Sequence, residues 1–136
     1  MKKEVTVLMD TESIPKEDSP RHISIKTKGT VFKKDGLLYI TYKENPEEFG
    51  KTLTTVKIKA GRLEIIRTGN IASRLVFCPN YPYEGSYNTP YGSLPVKLNV
   101  TRMDITTGET EGSIFMQYDL DLAGDITNNK FTLKYF

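Results

Sequence analysis

The chain has 136 residues, 38% apolar and 26% charged, enough for one domain with a real core. Its 19 Lys and Arg against 17 Asp and Glu leave a net charge of +2, too balanced to argue for nucleic acid or an anionic membrane surface. A single cysteine, Cys78, excludes an internal disulfide and fits a reducing compartment. No signal-like leader follows Met1-Lys2-Lys3, and no apolar run nears the roughly 20 residues of a membrane-spanning helix, so a cytoplasmic location is expected.

Val5, Val7 and Met9 alternate and predict a first strand. Residues 10–21, with Pro15, Pro20 and six charges, predict an exposed loop. Ile23, Ile25, Thr27, Gly29 and Val31 alternate again, as do Leu38, Ile40 and Tyr42. Asp35-Gly36 between them suits a type I′ hairpin turn, which needs φ > 0 at both central residues. That turn sets Val31 opposite Ile40 and Gly29 opposite Tyr42, so the apolar residues of both strands share one face. The connection at 45–50, with Pro46, has room for one helical turn.

Ala60-Gly61 closes a second hairpin, setting Ile58 opposite Leu63, Val56 opposite Ile65 and Thr54 opposite Arg67. Arg67 therefore falls on an apolar face, at its far end. Thr68-Gly69-Asn70 turns the chain into a strand carrying Leu75 and Phe77. A segment with four tyrosines, Tyr81, Tyr83, Tyr87 and Tyr91, follows; it is expected to plug a barrel mouth, pack between subunits or act as a lid. Thr89-Pro90-Tyr91-Gly92 is a tight turn, because Pro fixes φ at its second position and Gly accepts φ > 0 at its fourth. Leu94, Val96, Leu98 and Val100 then alternate, but Met103 and Ile105 break the parity. Either the strand bulges or ends near Thr101-Arg102, or Arg102 points inward behind Val100. After a Thr- and Gly-rich turn at Thr106–Gly112, Ile114, Met116, Tyr118, Leu120 and Leu122 form an apolar stripe. Gly124–Asn129 is expected as a last turn, and Phe131, Leu133 and Tyr135 close the chain.

No helical period is sustained over about ten residues, while about ten strands joined by short turns are. Short links make consecutive strands antiparallel neighbours, and so many one-faced strands in a flat sheet would expose two edges. The expected fold is all-β: one closed, antiparallel, mainly up-and-down β-barrel over residues 1–136, with a β-sandwich as the alternative.

Tyr39-Ile40-Thr41-Tyr42-Lys43-Glu44, Arg67-Thr68-Gly69 and Gly85-Ser86-Tyr87-Asn88-Thr89-Pro90-Tyr91-Gly92 occur in an order that resembles the YwiB-like family, small uncharacterised proteins of Gram-positive bacteria. The resemblance implies a calycin-type barrel, the group of lipocalins and fatty-acid-binding proteins, and carries no activity or site residues with it. The chain has no tryptophan and so lacks the Gly-X-Trp that marks true lipocalins; a lipocalin function does not come with the fold.

Reactive constellations are sparse. His22 is the only histidine, which argues against a multi-histidine metal site or a histidine-based triad. Cys78 is expected as a buried, inert thiol, and Asp119 and Asp121 as a solvated strand face. No catalytic residue, metal or cofactor is indicated, and no enzyme is assigned. A barrel of this size can enclose a cavity, and an inward arginine cannot lose its charge, so it needs an acceptor. The expected ligand is a small apolar or acidic amphipathic molecule, with Arg67, joined by Arg102, as the anion anchor and Leu98, Met116 and Tyr118 lining the cavity. The competing expectation places Arg67 at the rim or pairs it with Glu44 inside. A filled barrel serving as a homodimer or scaffold is the alternative function; neither nucleic acid nor membrane is expected as a partner.

Overall fold

Ten strands leave the chain in order and each pairs with its sequence neighbours. They are β1 (Lys3–Pro15), β2 (Arg21–Lys34), β3 (Leu37–Lys43), β4 (Thr52–Lys59), β5 (Arg62–Gly69), β6 (Ala72–Phe77), β7 (Tyr83–Thr89), β8 (Gly92–Thr107), β9 (Gly112–Leu122) and β10 (Asp125–Tyr135). The computed structural model describes residues 2–44 and 50–136. β1 pairs with both β2 and β10, which closes the sheet into an antiparallel barrel and rules out the sandwich. The helical turn expected at 45–50 falls on 45–49, outside the described residues.

Both hairpin registers are as the turn chemistry dictates. Gly29 pairs with Tyr42 and Val31 with Ile40; Thr54 pairs with Arg67 and Ile58 with Leu63. Asp35 and Gly36 both hold positive φ, as a type I′ turn needs. A Cβ on Gly29 would lie 2.5 Å from the Thr41 carbonyl oxygen and 2.8 Å from Val7 Cγ2, so close backbone approach requires glycine there.

Period-two alternation sends every second side chain inward. Val7, Ile40, Val56, Leu63, Phe77, Ile114, Met116 and Leu133 are fully buried. Each such side chain contributes about 1.5–3 kcal/mol relative to exposure. Phe77 meets Tyr118 edge-on, ring centroids 4.9 Å apart, inside the barrel. The register shifts between Val100 and Arg102, which restores Met103 and Ile105 to the inner face.

Four expectations are corrected. β1 runs on to Pro15, so only 16–20 remain as the link to β2; Glu12 pairs with His22 and Asp10 with Ser24. β10 starts at Asp125, not after Asn129, because Thr127 and Asn129 already point inward. The tyrosine-rich segment is not a plug: Tyr83–Thr89 is the wall strand β7. Cys78 is half-buried, with Sγ 3.5 Å from the Gly61 carbonyl oxygen.

One seam is thin. β6 and β7 share only the pairs Ala72–Asn88 and Ser73–Tyr87 before they part. The Tyr83 hydroxyl crosses the gap and donates to the Arg74 carbonyl at 2.7 Å.

Candidate functional site

The inner wall divides into two regions. Towards the 35–36 and 60–61 turns it is apolar. Towards the other end a polar row crosses five adjacent strands. Tyr42, Thr54, Arg67, Ser73 and Tyr87 are direct cross-strand neighbours in that order, and all lie on the inner face. Each hairpin register forces this, since a slip of one residue would send the whole row to solvent.

Glu44 sits one inward position beyond Tyr42, its side chain completely buried. Its Oε2 accepts from Thr54 Oγ1 at 2.9 Å and from Arg67 Nε at 3.4 Å. The Arg67 side chain is only 11% exposed. The expectation that Glu44 pairs with Arg67 inside the barrel is therefore the one the structure supports. A buried arginine beside a buried carboxylate is compensated in charge but needs further hydrogen bonds to offset its desolvation.

Tyr42 Oη, Glu44 Oε1 and Ser73 Oγ are buried beside the pair and have no hydrogen-bond partner among the described residues. An unsatisfied buried polar group costs about 1–3 kcal/mol, so a group of them on one wall requires an explanation. Burial pushes the Tyr42 phenol far above its ordinary value, and Glu44 adds to the effect while Arg67 opposes it. Tyr118 is pushed up to about 12 by burial, against the pull of Arg67. Burial raises Tyr87 as well. These phenols stay neutral and keep their protons to donate. Burial works against the Arg67 charge, but at the strongly alkaline pH where it would titrate the ionised phenolates of Tyr42, Tyr87 and Tyr118 and the Glu44 carboxylate together outweigh burial and hold its pKa above the ordinary arginine value.

Facing this row, the inner surface is mixed. Asn129 Nδ2 donates to Thr127 Oγ1 at 2.9 Å, and both residues are buried. Ile23, Ile25, Leu120 and Leu122 pack on the core yet stay only half-buried, so this end of the interior is within reach of solvent.

The structure thus unites Arg67, Glu44, Tyr118 and Tyr87. Leu98 and Met116 are buried in the apolar core, where they fill the interior. Arg102 is corrected: the bulge turns it outward, two-thirds exposed, to Asp104 Oδ2 at 2.8 Å and over the Phe115 ring. Tyr83 closes the β6–β7 seam, and Tyr91 is fully exposed at a turn tip. Exposed Tyr81 and Tyr91 lie beyond opposite ends of β7, a strand roughly 20 Å long at the usual rise. Tyr42 and Ser73 went unrecognised in the sequence; the Gly29–Tyr42 and Thr54–Arg67 pairings already implied that Tyr42 shares the inner face with Arg67.

Several depressions of the surface lie away from this group. A depression of about 440 Å³ at the opposite end is lined by Leu38, Ile58, Ile105 and the stems of Lys33 and Lys59. Among the described residues no His, Cys, Asp and Glu gather as metal ligands. His22 meets Asp10 on the barrel exterior. Among the described residues no helix is long and apolar enough to cross a membrane.

A closed ten-stranded meander with a charge pair buried inside its wall defines this molecule as a β-barrel protein. The family described as "Domain of unknown function (DUF1934)" matches residues 7–134, and the chain belongs to it. It is 24% identical over 126 residues to the uncharacterized beta-barrel protein YwiB of Bacillus subtilis, covering 92% of this chain and 88% of that protein. The crystal structure of the ywiB protein superposes with a TM-score of 0.89 at 22% identity, over 98% of this chain and 91% of the other, and shows the same fold.

Proposed function

We propose that the barrel binds a small amphipathic molecule at its polar end, with the polar part against Tyr42, Glu44, Arg67 and Ser73. The carrying observation is that three buried polar atoms around one ion pair have no partner among the described residues. Groups arranged this way recur where a ligand completes the bonding, and barrel mouths are a preferred place for such sites. Half-buried Ile23, Ile25, Leu120 and Leu122 supply an apolar surface for the rest of the molecule. We place this activity in the cytoplasm, in keeping with a single, unpaired cysteine.

Native mass spectrometry of protein purified from its own host tests the proposal. Added mass that is released as a small organic molecule on denaturation is the expected result. Apo protein that gains no mass from a library of apolar and amphipathic compounds would overturn it.

A further inference from the structure

Arg67 invites comparison with an anion anchor, but its surroundings argue otherwise. Its charge is already balanced. Glu44 stands 3.4 Å from Nε, with no exposed side-chain surface of its own. A ligand carboxylate entering here would meet Glu44 as well as Arg67, and two carboxylates in a poorly solvated space repel each other. A ligand ammonium meets the converse problem with the guanidinium. A charged head would also lose its own hydration with no net opposite charge to replace it.

The partnerless atoms describe a different head. Tyr42 Oη and Ser73 Oγ carry protons to donate, and both can also accept. Glu44 Oε1 is an acceptor only, since Oε2 takes the Thr54 and Arg67 donors. The complement is an uncharged group with both a hydrogen-bond donor and an acceptor.

Resting on the ligand-binding proposal above, we infer that the polar end of the barrel selects molecules with a neutral head that both donates and accepts, an amide or a hydroxyl on an apolar body, and rejects carboxylates and ammonium groups. Glu44 is the selectivity residue. It cancels the arginine charge and presents the acceptor that the head must meet.

The inference is tested by displacement of a neutral, environment-sensitive dye such as Nile red from the full chain. Decanamide, decanoate and decylamine share one tail and differ only in head charge. Decanamide is expected to displace the dye at a concentration about tenfold or more below either charged analogue. In Glu44→Gln, which keeps side-chain size and removes the opposing carboxylate, decanoate is expected to become the strongest competitor. Equal or better displacement by decanoate or decylamine from the wild type overturns the neutral-head inference and leaves the ligand-binding proposal standing. So does a Glu44→Gln protein that is folded by circular dichroism yet keeps the wild-type order. If the variant does not fold, the wild-type series decides alone. If no dye or decyl compound binds, the ligand-binding proposal fails, and this inference with it.

Discussion

Arg67 Nε and Glu44 Oε2 stand 3.4 Å apart inside the barrel wall, on strand β5 and just past the end of β3, with Thr54 of β4 between them donating to the same oxygen. The three residues tie three consecutive strands together from within. Removing either charge leaves the other buried without its counter-charge.

Arg67→Met is therefore expected to lose about 3–5 kcal/mol of stability, because it strands a carboxylate in the interior. The double variant Glu44→Gln/Arg67→Met removes both charges and is expected to recover most of that loss. Urea denaturation of the four proteins of this cycle measures both effects. An Arg67→Met protein as stable as the wild type would show that the pair is solvated.

Arg102 supplies the contrast. It is bonded to Asp104 but two-thirds exposed, and exposed pairs contribute little. Arg102→Ala is expected to change the urea midpoint by no more than about 0.5 kcal/mol equivalent, and dye displacement not at all.

Gly29 lies under Tyr42, with the Thr41 carbonyl and Val7 closing in on its missing Cβ. Gly29→Ala forces the backbone of β3 or the side chain of Val7 to move. The expected cost is about 1–3 kcal/mol by thermal or urea unfolding. The glycines of the 35–36 and 60–61 turns have open space at the same position, so any loss there comes from their positive φ instead.

Tyr83 bridges the thin seam through one hydrogen bond, and Tyr83→Phe removes only that bond. The expected loss is about 1 kcal/mol, with faster amide exchange confined to β6 and β7. Uniform exchange changes around the whole barrel would assign Tyr83 a global role.

The buried phenols predict an alkaline limit. Tyr118 has its folded pKa raised from 10.0 to about 12, and Tyr42 is raised further in the same direction. Above pH 10 the unfolded chain releases these protons while the folded barrel retains them, so the unfolded state binds fewer protons and stability falls as pH rises. Their contribution is complete below pH 10 and lost on passing the folded values. Urea midpoints that decline over this range, together with delayed phenolate absorbance in the native protein, are the expected outcome. Tyr118→Phe is expected to soften the decline.

Much of the barrel was legible in the sequence. Asp35-Gly36 and Ala60-Gly61 determine two registers outright, because a two-residue turn leaves no freedom in pairing. The parity break after Val100 locates the bulge, since Met103 and Ile105 must return to the core. Ten one-faced strands in series made closure the expected solution.

The two stretches whose strand ends the sequence hides lie together, and for one reason. β1 beyond Asp10 and the start of β10 read as loop and turn because Thr11, Ser13, Thr127 and Asn129 are polar yet face inward. Strands are detected by apolar alternation, and alternation vanishes where the inner wall is itself polar. That is also the end of the barrel where Tyr42, Glu44, Arg67 and Ser73 gather. By itself the sequence determined the hairpin registers, a mainly up-and-down course and an arginine on an apolar face. Only closure of the barrel decided the rest, because distances between residues of β3, β5 and β6 are set by three successive ladders and not by spacing along the chain. Those ladders put Glu44 against Arg67 and left three polar atoms beside them with no partner among the described residues, while the bulge in β8 turned Arg102 out to solvent.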